Sequence, residues 1–147
     1  MSVRIAGPPV GLHLLPVDGV KLERRAQAIL EALEQGESEL SLLLVDDSAM
    51  SEMNRRHRGR EEPTDVLSFS LVEGEGSEHR GRLLGDVVVD VEVAALQAVE
   101  LGHGLDDEVA RLVIHGVLHL LGHDHEEPEE ARVMEALEGR LWDALAP

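Results

Sequence analysis

Apolar residues recur along this chain in two rhythms, one with a helical period and one in short continuous runs. Residues 3–15 alternate loosely and end in VGLHLL, which predicts a first strand. From Leu22 through Ala26, Ile29, Leu30 and Leu33 the spacing is helical, with Asp18 placed to cap the start and Gly36 to stop it. ELSLLLVDD at 39–47 is too short and too apolar for a surface helix and predicts a buried strand. Ser48 is placed to cap a short helix over 49–57. VLSFSL at 66–71 and LLGDVVVD at 83–90 predict two more strands, and the polar, Gly-rich 72–82 between them predicts a mobile loop. A helix follows and ends near Gly102. Asp106 is placed to cap the next one, with Asp107 and Glu108 in a first turn whose dipole favours acids. That helix runs to about Leu121, where Gly122 is a natural end. Pro128 suits the first turn of a last helix, whose inner face carries Ala131, Met134, Leu137, Leu141, Trp142 and Leu145. The order β-α-β-α-β-β-α-α-α predicts one α+β domain over 1–147, a mixed sheet of about four strands packed by about five helices.

Composition narrows this picture. The chain has 147 residues, suited to one core, and 43% of them are hydrophobic. Aromatics make up 1%, a lone Phe69 and a lone Trp142, so the core must be aliphatic. Cysteine is absent, which excludes a disulfide scaffold, a Cys-based zinc finger and thiol chemistry. A transition metal must then be held by His and carboxylates. No apolar run approaches the roughly 18 residues of a membrane span. The opening MSVRIAGPPVGLHLLP lacks the charged start and long apolar stretch of a signal peptide. The expectation is a cytoplasmic protein with no membrane partner. The formal charge is −17, a field that favours solubility, draws cations in and repels nucleic acid in general.

Candidate chemistry gathers in one place. Five of the eight histidines fall between 103 and 125, and 115–125 reads HGVLHLLGHDH. His115 and His119 are four apart on an expected helix, so their imidazoles project from one face. Gly122 lets the chain turn back, and His125 comes within reach of the same ion. The pattern H-x-x-x-H-x-x-G-x-x-H is the ligand spacing of the metzincin zinc proteases. In those proteases the residue after the first His is the Glu that serves as general base; here it is Gly116. Three neutral imidazoles leave a fourth zinc position open for water, whose pKa the metal brings to about 7. His123 is a substrate-side group, an outer neighbour of the metal or a solvated residue. Asp124 orients an imidazole, serves as a base or shapes the turn. The residues alone leave these alternatives standing.

The same residues resemble a known family. HGVLHLLGHDH is similar to the signature of the YbeY family, bacterial endoribonucleases and rRNA maturation factors. MNRRHRGREEPTDVLSFS at 53–70 resembles the family's Asn-x-x-(Tyr)-Arg segment followed by Pro-Thr-Asp-Val-Leu-Ser-Phe, and LLGDVVVD resembles its Leu-Gly-Asp strand. Order and spacing agree, so the resemblance covers most of the chain. It implies a single-strand-specific, metal-dependent RNA hydrolase acting in 16S rRNA 3′-end processing and ribosome quality control. The metal, one zinc per chain, would sit on His115, His119 and His125. The family's functional Arg falls on Arg58, its Asn on Asn54, and Thr64, Asp65 and Ser68 fall in the central block. The partners implied are single-stranded RNA or rRNA and a ribosomal or ribosome-associated protein, with no DNA. His57 and His123 depart from the family, each standing where Tyr is common.

Arg55, Arg56, Arg58 and Arg60 lie within six residues of a chain otherwise dominated by acids. Guanidinium suits bidentate phosphate contact and the charge of a phosphorane, so Arg58 is one catalytic candidate; no base is obvious, so zinc hydroxide or Asp124 must serve, and Asp124 is the other candidate. Arg55, Arg56, Asn54, Thr64, Asp65, Ser68 and His123 are the substrate-binding candidates. The plain alternative for the arginines is a solvated, ion-paired helix end. Two other functions compete with the ribonuclease: a ribosome-assembly factor whose zinc is structural and closed by a fourth ligand such as His123, and a metalloprotease, opposed by Gly116.

Overall fold

Strands β1 (Val3–Ala6), β2 (Glu39–Val45), β3 (Val66–Ser70) and β4 (Leu83–Asp90) form one sheet in the order β1-β2-β4-β3. The computed structural model describes residues 3–7, 16–59, 64–70, 82–123 and 126–145, the side chain of Arg58 excepted. β1, β2 and β4 run parallel, with Val3 opposite Leu40 and Leu42 opposite Val87. β3 is antiparallel to β4, with Ser68 opposite Val87, and forms one edge. Helices α1 (Gly19–Ala32), α2 (Asp47–Arg58), α3 (Val91–Leu101), α4 (Leu105–Leu120) and α5 (Pro128–Ala144) complete the α+β fold in the expected order.

The apolar run of β2 is explained by cover on both faces. Leu40, Leu42 and Leu44 join the main core with α1, α4 and α5, whereas Leu43 and Val45 point to a smaller cluster with Met50 and Met53 of α2. α4 is the central helix, packed against α1, α3, α5, β3 and β4. This is why it is apolar nearly all round, with Val109, Leu112, Val113, Ile114, Val117 and Leu118 buried. No helix of the described residues is long and apolar enough to cross a membrane.

Several details differ from the sequence expectation. β1 is described only as Val3–Ala6, and the VGLHLL stretch and all but Arg82 of the 72–82 loop lie outside the described residues. α2 is capped by Asp46, whose carboxylate accepts from Ala49 N at 2.9 Å, and not by Ser48. The end of β2 delivers Asp46 in extended backbone, the geometry an N-cap needs. α4 begins after Gly104 without a side-chain cap, and Asp106 accepts from Asp18 N at 2.9 Å, tying the start of α1 to α4. α1 ends at Ala32, with Glu34 taking the positive φ of 61° before Gly36 is reached. Met134 and Leu141 are buried on α5 as expected, but Trp142 is 38% exposed and stands beside the His103 ring, centroids 6.3 Å apart.

Candidate metal centre

His115 and His119 face one another one turn apart on α4, their Nε2 atoms 3.0 Å apart and their rings at 70°. Two imidazole nitrogens on one tetrahedral zinc, each bound at 2.0–2.1 Å, stand about 3.3 Å apart. The pair therefore presents two nitrogens at nearly the spacing one ion requires. Each is partly exposed, so the pair opens to solvent from a helix most of whose residues are buried.

Close packing fixes the helix here. A Cβ on Gly116 would stand 2.6 Å from Val87 Cγ1 and 3.2 Å from Ser68 Oγ, so only glycine lets α4 lie this near β4. Ser68 Oγ donates to Gly116 O and Ser70 Oγ to Leu120 O, both at 2.9 Å, tying β3 to α4 on either side of His119. The helix ends as the sequence suggests. Gly122 has φ 92°, its N–H bonds His119 O at 3.0 Å, and His123 N–H bonds Leu118 O at 3.0 Å. This paired closure ends α4 with a left-handed glycine.

Among the described residues no three His, Cys, Asp or Glu side chains converge as a metal cage. The third ligand read from the sequence, His125, lies outside the described residues, as do Asp124 and the Arg58 side chain. Glu138 of α5, which sequence reasoning missed, places Oε2 3.5 Å from His115 Nδ1. Its sequence signal was available: an acid between Leu137 and Leu141 on the inner stripe of α5. A groove of about 470 Å³ continues from Glu138 between α4 and α5, lined also by Arg111, His103 and Trp142. Glu108 nearby is fully buried, bonded by Nε and Nη2 of the Arg111 guanidinium and 2.7 Å from His103 Nε2. Glu108 is thus a buried ionic anchor for α4, a larger part than the first-turn acid its position suggested.

Arg55 and Arg56 sit elsewhere. α2 covers the face of the sheet that carries Leu67, Phe69 and Val88, opposite the face that α4 covers through Val87 and Ser68. Arg55 and Arg56 share Glu52, at 2.6 and 2.9 Å, and hold its carboxyl below the ordinary carboxylate range. Asn54 is buried, and the His57 ring lies 4.6 Å from that of Phe69. Asp65 is tied into structure: its carboxylate accepts from Val66 N at 2.8 Å, Thr64 Oγ1 at 3.4 Å and Gln97 Nε2 at 3.3 Å. The structure thus joins His115 to His119 and keeps Arg55 and Arg56 on α2, with edge strand β3 standing between the two groups.

Known proteins match this chain over most of its length. The model of the family described as "Endoribonuclease YbeY" matches residues 15–146. Proteins named "Endoribonuclease YbeY" include one from Pelotomaculum thermopropionicum, 49% identical with 84% of both chains covered. Another, from Aquifex aeolicus, is 43% identical, with 86% of this chain and 83% of that one covered. A solution structure of a Thermotoga maritima protein superposes with TM-score 0.66 at 29% identity, over 97% of this chain and 88% of the other. With a family match over nearly its whole length and relatives this similar, the chain belongs to the endoribonuclease YbeY family.

Proposed function

We propose that the protein is a zinc-dependent endoribonuclease of the cytoplasm, specific for single strands, that acts in 16S rRNA 3′-end maturation and ribosome quality control with a ribosomal or ribosome-associated protein partner. The observation that carries this reading is the His115–His119 pair, two Nε2 atoms 3.0 Å apart on the central helix of a chain in this family. Relatives 49% and 43% identical bear the name endoribonuclease, which supports RNA as the substrate.

His115, His119 and His125 would hold the metal. When bound, zinc supplies a Lewis acid for the scissile phosphate and brings a water's pKa to about 7. The protein's own groups do the rest. Arg58 is assigned to the phosphate, where a guanidinium stabilises charge that grows during cleavage. Asp124, next to His125 in sequence, is assigned to take a proton from the attacking oxygen. Arg55 and Arg56 pair with a single Glu52, so their corner of α2 keeps a positive balance for the RNA backbone. Thr64, Asp65, Ser68 and His123 are assigned to the strand's path past β3. The space at Gly116 weighs against the protease alternative, because a base at that position would have to enter the α4–β4 contact.

The test is elemental analysis together with digestion of a single-stranded RNA and of casein. The expected results are about one zinc per chain, in keeping with a single three-histidine site, RNA cleavage that chelator abolishes, and untouched casein. His119→Ala should lose the metal. Undiminished RNA cleavage in chelator, or full zinc in His119→Ala, would sink the reading. Zinc that resists chelator, with no RNA cleavage, would favour the structural-zinc factor.

A further inference from the structure

We infer that Glu138 is a positioning residue for the metal site: its carboxylate accepts from the Nδ1–H of His115 and so leaves the Nε2 lone pair facing the place where the ion binds. The inference rests on the metal reading above and adds a residue to it from another helix.

A neutral imidazole carries one N–H and one lone pair, and the partner of one nitrogen decides the state of the other. His115 Nδ1 faces Glu138 Oε2 at 3.5 Å, and His115 Nε2 faces His119 Nε2 at 3.0 Å. A carboxylate only accepts, so a hydrogen bond across this gap requires the N–H on Nδ1. Nε2 is then the lone pair, which is the form a metal ligand requires. A carboxylate behind a ligating imidazole also raises its basicity and fixes the ring plane.

The placement of Glu138 is built in. Met134 and Leu141, at 1% and 2% exposure, anchor α5 on the core one turn to either side of it. Those anchors set the rotation of the helix and direct position 138 toward α4. The neighbouring Arg111 guanidinium is bonded to Glu108 through Nε and Nη2, and Glu138 acts on it as a nearby charge. The His115 and Glu138 side chains are 24% and 28% exposed, so removing the carboxylate leaves no buried charge behind.

The test compares wild type, Glu138→Gln and Glu138→Ala by competition for zinc against a chromophoric chelator, and reads the His115 tautomer by ¹⁵N NMR in the metal-free proteins. Glu138→Ala should bind zinc about 10–100-fold more weakly, the usual cost of losing such a partner. Glu138→Gln keeps a neutral acceptor and should fall between the two. His115 should be the Nδ1–H tautomer in wild type and a mixture in Glu138→Ala, while the metal-free melting temperatures stay close. Equal zinc affinity in wild type and Glu138→Ala, or an Nε2–H tautomer in wild type, overturns the inference and leaves the metal reading standing. A wild-type protein that takes up no zinc overturns both.

Discussion

At position 116 the absent side chain matters more than any present one. The motif marks Gly116 as the place of a missing protease base; the packing shows why it is glycine, with Val87 Cγ1 2.6 Å from where a Cβ would stand. That reason was not legible in the sequence, because it depends on which strand α4 lies against. Gly116→Ala should therefore cost about 1–3 kcal/mol, the range for overpacking a filled core. Adding Val87→Ala should recover part of the loss, read as a coupling in a double-mutant cycle of urea melts. Independent costs would show that the contact is not the cause. Gly116→Glu should yield little folded protein, and so no peptidase. Arg58 belongs to the same scale. If it acts on phosphate, Arg58→Ala leaves zinc content unchanged and slows single-turnover RNA cleavage on the order of 10²–10³-fold, with partial rescue by Lys. If it is an exposed ion-paired residue, like Arg55 and Arg56 on Glu52, the change is near nothing, since such pairs are worth about 0–1 kcal/mol.

Helix starts show how far an element can be read from sequence. Asp18 and Pro128 take the places expected, because each is the lone capping or first-turn residue in its window. Asp46, Asp47 and Ser48 compete within three positions, and only the end of β2 decides among them. The antiparallel pairing of β3 was equally hidden, since strand order follows from long-range contacts. Asp90, the fully buried last residue of β4, caps α3 by accepting from Glu92 N at 2.9 Å and Val93 N at 3.2 Å. Its Oδ2 and Asp47 Oδ1 are both buried without a donor, and Asp47 N donates to Glu92 at 3.0 Å. Burial, with the Asp47 carboxyl next to it, pushes Asp90 from 3.8 up to about 7. The folded state thus holds a proton the unfolded chain has released. Stability from this group is full below about pH 4 and is lost as pH rises through about 7. Asp90→Asn keeps a cap oxygen and gives Asp47 a permanent donor. It should flatten the difference between urea midpoints taken near pH 5 and near pH 8. An unchanged slope in Asp90→Asn would show that another group carries the pH dependence.

Across the whole molecule, charge and placement pull apart. The histidine pair was legible from its spacing, but Glu138 comes from another helix, and the separation of Arg55 and Arg56 from the histidines by the sheet is a matter of packing. A net charge of −17 opposes RNA everywhere except near local cations. Four clustered arginines, Arg55, Arg56, Arg58 and Arg60, allow about four phosphate contacts, so log K against log salt should slope no more steeply than about −3 for a single strand. Fluorescence anisotropy on a labelled RNA across a salt series measures it. A much steeper slope would mean that more of the chain's 13 basic residues reach the RNA than this cluster supplies. Weak, shallowly salt-dependent binding also accords with a substrate presented by a partner.

The two serines of β3 carry a consequence for insertions and deletions. Side chains alternate along a strand, so Ser68 and Ser70 meet α4 while Phe69, between them, meets α2. A frame of five residues thus indexes one helix against the other across the sheet's edge. One residue added between Val66 and Ser70 would reverse that alternation, sending a phenylalanine toward the Gly116 carbonyl and a hydroxyl into the Met50 cluster. Such a variant would have every site residue in its sequence and no common frame to hold them.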